Sequence, residues 1–282
     1  MSEVFLKTYE FVAFASPCLL HIVHNEHIVS DTAAKEVLEE ALRLEAKYSY
    51  FSSDSVVRSI NNRSFDAKIK LDNETILVLD KVSKFSTKTG FIFDIARAGT
   101  LKHGFDEKLL EYADSSNFIV LNDEIIFSNP YTKIDLGGVI KEYAVDTCVQ
   151  KLITSGVENA LVDFGGDIYA LGSKNGKKWR IGIKNPHDTT KDITIVELEN
   201  SAIVSSGHYE RSRIINGEKH SHIVSLPNLN LSKLAQATVF ASSVLEAGIF
   251  STALLIDSEV SLPQGMSSIR VYADGAINTV GY

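Results

Sequence analysis

Residues 134–143 read Ile-Asp-Leu-Gly-Gly-Val-Ile-Lys-Glu-Tyr, and Asp146 follows three residues later. This run constrains the fold more than any other stretch: an apolar strand end meets an acid, then two glycines, then a helical pattern. Paired glycines let backbone approach a ligand closely, and the first turn of a helix offers N–H groups suited to a diphosphate. Lys141, in that turn, would add positive charge. The same letters also suit a plain strand–turn–helix in which Asp135 caps the helix.

The surrounding pattern mixes the two element types. Residues 8–23, rich in β-branched and aromatic side chains, predict one strand. Ser30 or Asp31 is expected to cap a helix carrying Ala34, Val37, Leu38, Ala41 and Leu44 at helical spacing. A second helix is expected over 72–88. Strands at 118–121 and 124–127 flank Asn122-Asp123, a hairpin signal. A helix over 139–154 ends at Gly156, and strands at 160–162 and 168–171 enclose Gly165-Gly166. Further strands are expected at 179–183, 193–198, 202–204 and 269–272, with a helix over 242–255. There is no strict βαβ alternation, so the class is α+β. With no repeat or linker, one domain spanning 1–282 is expected.

Composition removes several functions. A net charge of −8 disfavours nucleic acid and anionic membrane as partners, since both select a basic face. Cys18 and Cys148 have neither zinc nor disulfide spacing and read as buried small hydrophobes. The apolar run 11–20 contains Cys18 but lacks the flanks of a signal peptide or lipobox. Glu3 and Glu10 stand where positive charge belongs, and Pro17 precedes the cysteine. The run is also short for a membrane helix. A cytoplasmic protein is therefore expected.

Four more segments matter: Asp163-Phe-Gly-Gly-Asp167, Trp179-Arg-Ile-Gly-Ile-Lys-Asn-Pro186, Ala202-Ile-Val-Ser-Ser-Gly-His-Tyr-Glu-Arg211 and His222-Ile223. With 134–143 and in this order, they resemble the FAD:protein FMN transferase (ApbE) family. That family shows Asp-Leu-Gly-Gly-Ile-x-Lys-Gly-Tyr, Gly-Gly-Asp, Trp-x-Ile-Gly-Ile, Ser-Gly-x-Tyr-x-Arg and His-Ile. Asp54-Ser-Val-Val-Arg-Ser-Ile-Asn61 and Thr89-Gly-Phe-Ile-Phe-Asp94 extend the resemblance through the N-terminal half.

The resemblance implies an enzyme that takes FAD, uses magnesium to neutralise its diphosphate, and transfers FMN to a threonine of a partner protein, releasing AMP. Carried over by motif, Asp135 and Lys141 would contact FAD, and Ile92, Phe93 and Asp94 would line the pocket. Phe51 stands where the family often has a flavin-contacting tyrosine, and Phe14 where it has the methionine of Met-Gly-Thr. His222 matches the family histidine and Ile223 a further FAD contact. Gly138 would offer a carbonyl to the metal, and Thr252 a hydroxyl.

Several departures fall on this chemistry. The family's Ala-Asp-x-x-x-Thr-Ala reads Ala247-Gly-Ile-Phe-Ser-Thr-Ala253 here, so Gly248 replaces a metal-binding aspartate. Glu246 and Asp257 are off the helical face shared by 248 and 252. Magnesium affinity is expected to fall. The family's His-Ile-Ile-Asp-Pro-x-Thr-Gly has become His222-Ile-Val-Ser-Leu-Pro-Asn-Leu229, and Lys-Gly-Tyr has become Lys141-Glu142-Tyr143, with Glu142 expected to face outward. An active flavin transferase is the first reading. A non-catalytic FAD-binding or protein-interaction member that has lost its magnesium site is the second. Among other candidates, His21, His24 and His27 would alternate along a strand and not converge on a metal. Tyr209 and Arg211 are placed near the site by their motif, and His220 by sharing a strand face with His222.

Overall fold

The computed structural model describes residues 4–102, 106–207, 212–215, 218–221 and 233–281, the two short segments between 212 and 221 by backbone alone. The first apolar stretch is a hairpin, not the single strand expected. Strands β1 (Phe5–Ala13) and β2 (Ser16–His24) join through Phe14 and Ala15, whose φ angles of 54° and 53° give the left-handed pair of a two-residue turn. The Phe14 ring stacks on Phe164 with centroids 6.3 Å apart, which anchors the turn. Helix α1 (His27–Tyr48) starts ahead of the expected cap. Ser30 is buried inside it, and Asp31 instead accepts from Lys7 at 2.7 Å and Tyr9 at 2.8 Å on β1. His27 is therefore helical and stacks on Phe5, while His21 pairs with Thr8 and His24 with the Glu26 backbone.

Helices α2 (Val56–Asn61), α3 (Asn73–Lys88) and α4 (Ile95–Thr100) are capped by Ser55, Asp72 and Asp94, with β3 (Ile69–Lys70) between the first two. Two 3-10 turns, Glu107–Tyr112 and Ser115–Asn117, lead to β4 (Phe118–Leu121) and β5 (Glu124–Phe127). Asn122 and Asp123 make their turn, as their side chains favour. The chain continues through α5 (Ile140–Thr154), β6 (Asn159–Phe164), β7 (Asp167–Leu171), β8 (Trp179–Asn185) and β9 (Asp188–Leu198). It then runs through β10 (Ser201–Gly207), β11 (Ser212–Ile215), β12 (Glu218–Ser221), β13 (Leu234–Ala241), α6 (Val244–Ile256), β14 (Ser267–Tyr272) and β15 (Ile277–Val280).

Eight strands form one antiparallel sheet in the order β1-β2-β6-β7-β10-β13-β14-β15. On one face, α1 lies over β1 and β2, α5 over β6 and β7, and α6 over β10 and β13. Their apolar sides and residues such as Leu20, Ile22, Val162 and Val239 make the main core. α5 sits between the other two helices and the sheet, so it is buried on three sides. On the opposite face, the β8–β9 hairpin turns Trp179, Ile181 and Ile183 inward at period two, against Leu161, Ile203 and Phe240. Cys18 and Cys148 are buried thiols, as composition suggested, and burial pushes the Cys18 thiol up to about 11. The architecture is α+β. Among the described residues, no helix is long and apolar enough to cross a membrane.

Candidate active site

The site forms where α5 and α6 run antiparallel. Asp146 on α5 accepts from the Val244 and Leu245 backbone N–H groups at 2.8 and 3.0 Å, and so caps the start of α6. Burial pushes its carboxyl up to about 6, with the Glu142 charge a smaller contribution in the same direction. One turn back along α5, Glu142 faces Gly248, one turn forward along α6. A Cβ built on Gly248 would lie 2.6 Å from Glu142 Cγ and 3.3 Å from its Oε1. Glu142 is only 8% exposed, so it does not face outward as expected. α5's burial between α1 and α6 leaves that helix no solvent side at this position. Thr252 lies one further turn along α6, and Gly138 precedes Glu142 by four residues in the turn that enters α5. Thr252 and Ser251 hydrogen-bond the Ser206 hydroxyl at 3.3 and 2.8 Å, which joins the end of β10 to α6.

The segment entering α5 is held by elements from the N-terminal half. The Asn61 side chain pairs with both backbone groups of Ile134, at 2.8 and 2.9 Å. Thr100 accepts from Lys133 N, and Asp135 N donates to Ile95 O. Gly99 permits this approach: a Cβ there would stand 2.4 Å from the Ile134 carbonyl carbon. Asp135 Oδ1 accepts from Gly137 N at 2.9 Å, so the acid shapes the glycine turn and does not cap the helix, whose N-cap is Val139. Its other oxygen forms an ion pair with Lys102. Gly137 and Gly138 are exposed, leaving their backbone approachable.

The structure brings most of the expected residues to this end of the molecule, in different capacities. Phe51 is 69% exposed, and Lys102 lies 5.4 Å from its ring centroid. Phe51, Lys102 and Asp135 thus form a contiguous wall with an open aromatic face. Phe93 is buried 3.7 Å from where a Gly138 Cβ would be. Arg97 fixes the chain before it by donating to the Phe91 and Ile92 carbonyls at 3.1 and 2.9 Å. Asp94 is occupied by structure: it accepts from Ala96 N, Arg97 N and both donors of Ser115. Lys141 is buried, ion-paired with Asp167, and donates to Phe164 O at 3.0 Å, so it ties α5 to the β6–β7 turn. Phe14 reaches the same turn through Phe164. His222, Ile223, Tyr209 and Arg211 lie outside the described residues, as does the side chain of His220.

Lys102, Asn61 and the inward carboxylate of Glu142 were not found by reading the sequence. Asn61 stood in a matching motif without a role, and Lys102 carries no local signal. Among the described residues, no three His, Cys, Asp or Glu side chains converge as a metal site. One open hollow of about 800 Å³, lined by Pro263, Arg270 and Tyr272 among others, holds none of the expected residues.

An exposed glycine turn at a buried helix start, flanked by an ion pair and an exposed aromatic ring, has the chemistry to take an anionic ligand with a flat ring. The ApbE family pattern matches residues 14–267, and the chain belongs to the ApbE family. It is 28% identical over 222 residues to an FAD:protein FMN transferase of Treponema pallidum, covering 68% of this chain and 61% of that protein. A Klebsiella pneumoniae protein of the same name is 24% identical over 293 residues, covering 97% and 89%. The crystal structure of the ApbE protein of Thermotoga maritima superposes with a TM-score of 0.86 at 26% identity, covering 98% of this chain and 97% of that one.

Proposed function

We propose that this protein is an FAD:protein FMN transferase. A threonine hydroxyl of an acceptor protein attacks the FMN phosphorus of FAD. The new P–O bond forms to the threonine oxygen, the phosphoanhydride bond breaks, the hydroxyl proton passes to solvent, and AMP departs. The observation that supports this reading is the exposed glycine turn at Gly137 and Gly138, shaped by Asp135, at the entrance to α5, the helix packed on the α6 that carries Thr252. Exposed backbone at Gly137 and Gly138 suits the diphosphate, and the open face of Phe51 beside Lys102 suits the flavin or adenine ring.

Within this reading, Asp135 shapes the turn, Phe93 packs beneath it, and Ile92 is set by Arg97. Lys141 acts through the Asp167 pair, positioning the helix start, and not as a free cation. Phe14, His222 and Ile223 complete the proposed ligand set. Magnesium, when bound, would offset charge developing on the phosphoryl oxygens. The Gly138 carbonyl, the Thr252 hydroxyl and a carboxylate are hard oxygen donors of the kind magnesium takes, with waters and phosphates completing its shell. Residues 1–282 act as one unit in this reading, since one core draws on Ala13 through Met266. The non-catalytic alternative, which rests on the absent carboxylate at 248 and the altered motif at 222–229, is not favoured: a carboxylate stands beside the first of these positions.

The test is incubation with FAD, Mg²⁺ and a threonine-bearing acceptor protein of a related system. AMP is followed by chromatography and covalent flavin by in-gel fluorescence. Equimolar AMP and flavinylated acceptor are expected. FAD binding with neither product, under Mg²⁺ or Mn²⁺, would overturn the transferase reading.

A further inference from the structure

Resting on the flavin-transferase reading, we propose that Glu142 supplies the metal-binding carboxylate that Gly248 lacks: the acid has crossed from α6 to α5. Two substitutions that look like separate losses in the sequence meet in space. The Glu142 side chain fills the volume a side chain at 248 would enter, with Cγ 2.6 Å, Cδ 3.3 Å and Oε1 3.3 Å from that Cβ. An aspartate at 248 would extend its carboxylate into the place the Glu142 side chain occupies. Each position thus takes the residue type the other would have, a glycine opposite an acid.

The sequence register puts this carboxylate one helical turn from each of the remaining candidate donors. Contacts 146–244 and 142–248 fix α5 and α6 antiparallel, one turn per step. One turn further along α6 is Thr252, bonded to Ser206, and four residues before Glu142 is Gly138, in the turn that enters α5. In the proposed set Glu142 adds a single carboxylate to the Gly138 carbonyl and the Thr252 hydroxyl, which lie four residues along the chain from the two members of the 142–248 contact. Asp146 caps α6, Glu246 pairs with Lys88 at 3.5 Å, and Asp257 accepts from Glu259 N.

The geometry also changes what a repair would do. Gly248→Asp alone sets a side chain against Glu142 Cγ, the middle of that chain and not its mobile tip. Restoration needs the pair Glu142→Gly with Gly248→Asp.

The experiment is an Mn²⁺ titration of the full chain with saturating FAD, read by the electron paramagnetic resonance of free Mn²⁺. FAD affinity in EDTA is measured in parallel by flavin fluorescence, and melting temperature by calorimetry. Glu142→Gln is expected to weaken Mn²⁺ binding by about tenfold or more, with FAD affinity in EDTA unchanged. Gly248→Asp should lower the melting temperature, and Glu142→Gly in the same chain should recover both melting and Mn²⁺ affinity, a strongly non-additive cycle. FAD binding with equal Mn²⁺ affinity in wild type and Glu142→Gln, or with no Mn²⁺ binding in the wild type, overturns the assignment alone. No FAD binding by the wild type overturns the flavin reading and this inference together. The swap keeps the test decisive if Glu142→Gln folds poorly. Glu142→Gly/Gly248→Asp must then bind Mn²⁺ and Glu142→Gly must not, and equal binding by those two also overturns the assignment.

Discussion

Lys141 sits where a ligand-binding cation would be expected, yet its ammonium is buried against Asp167 and the Phe164 carbonyl. A buried pair contributes little net stability relative to an apolar packing, but removing one member leaves the other charged in a poor solvent. Lys141→Met is therefore expected to destabilise the fold by about 3–5 kcal/mol, measured by urea unfolding. Adding Asp167→Asn should recover part of that loss, whereas a purely ligand-binding lysine would leave the unfolding midpoint unmoved. The sequence marked Lys141 for its charge and helical position. Its real partner lies 26 residues away on the next hairpin, and only the path of β6 and β7 brings it near.

The α5–α6 pair shows what is legible at the scale of elements. Helical periodicity and the glycines located both helices within two residues, and the Asn122-Asp123 turn placed β4 and β5 without error. The turn at Phe14-Ala15 was missed because neither residue favours positive φ. Its conformation is imposed by pairing of β1 with β2 and by packing on Phe164. The inward direction of Glu142 was likewise illegible, since it depends on interhelical register, which no local pattern encodes. Asp146 makes that register concrete. Its two bonds to Val244 and Leu245, with Ser243 accepting from Glu246 N, satisfy three N–H groups at the start of α6. Asp146→Ala is expected to cost about 1–2 kcal/mol in denaturant unfolding. Through the loosened seam it should also weaken FAD binding more in Mg²⁺ than in EDTA. Equal FAD affinity in both conditions would restrict Asp146 to the cap.

Across the whole molecule, α1 and α3 are joined outside the core by a charge network. Arg43 bonds both Glu40 and Glu74, and Lys47 reaches Glu74 and Asp72 at 2.6 and 2.8 Å. Hydrogen bonds from Arg43 hold the Glu40 and Glu74 carboxyls below their ordinary value, against an opposing effect of burial. Native carboxyls that bind protons less readily than unfolded ones give stability above their ordinary range, and that stability is lost as pH falls through their folded values. Arg43→Met should therefore flatten the acid limb of a stability–pH curve below about pH 5, with the difference from wild type greatest near neutrality. A constant offset at all pH values would mean that Arg43 acts by packing alone.

The glycine and glutamate facing one another across the α5–α6 seam also bear on how such a chain can change. One niche holds one acid, so a lineage passing between the two arrangements must cross a state with two acids crowded together or with none. Under the proposed assignment, either single replacement is expected to weaken a function that needs that acid, and the double replacement to restore it. Scored one column at a time, both positions look like damage. Scored as a pair, they leave one acid in the niche, carried on the other helix.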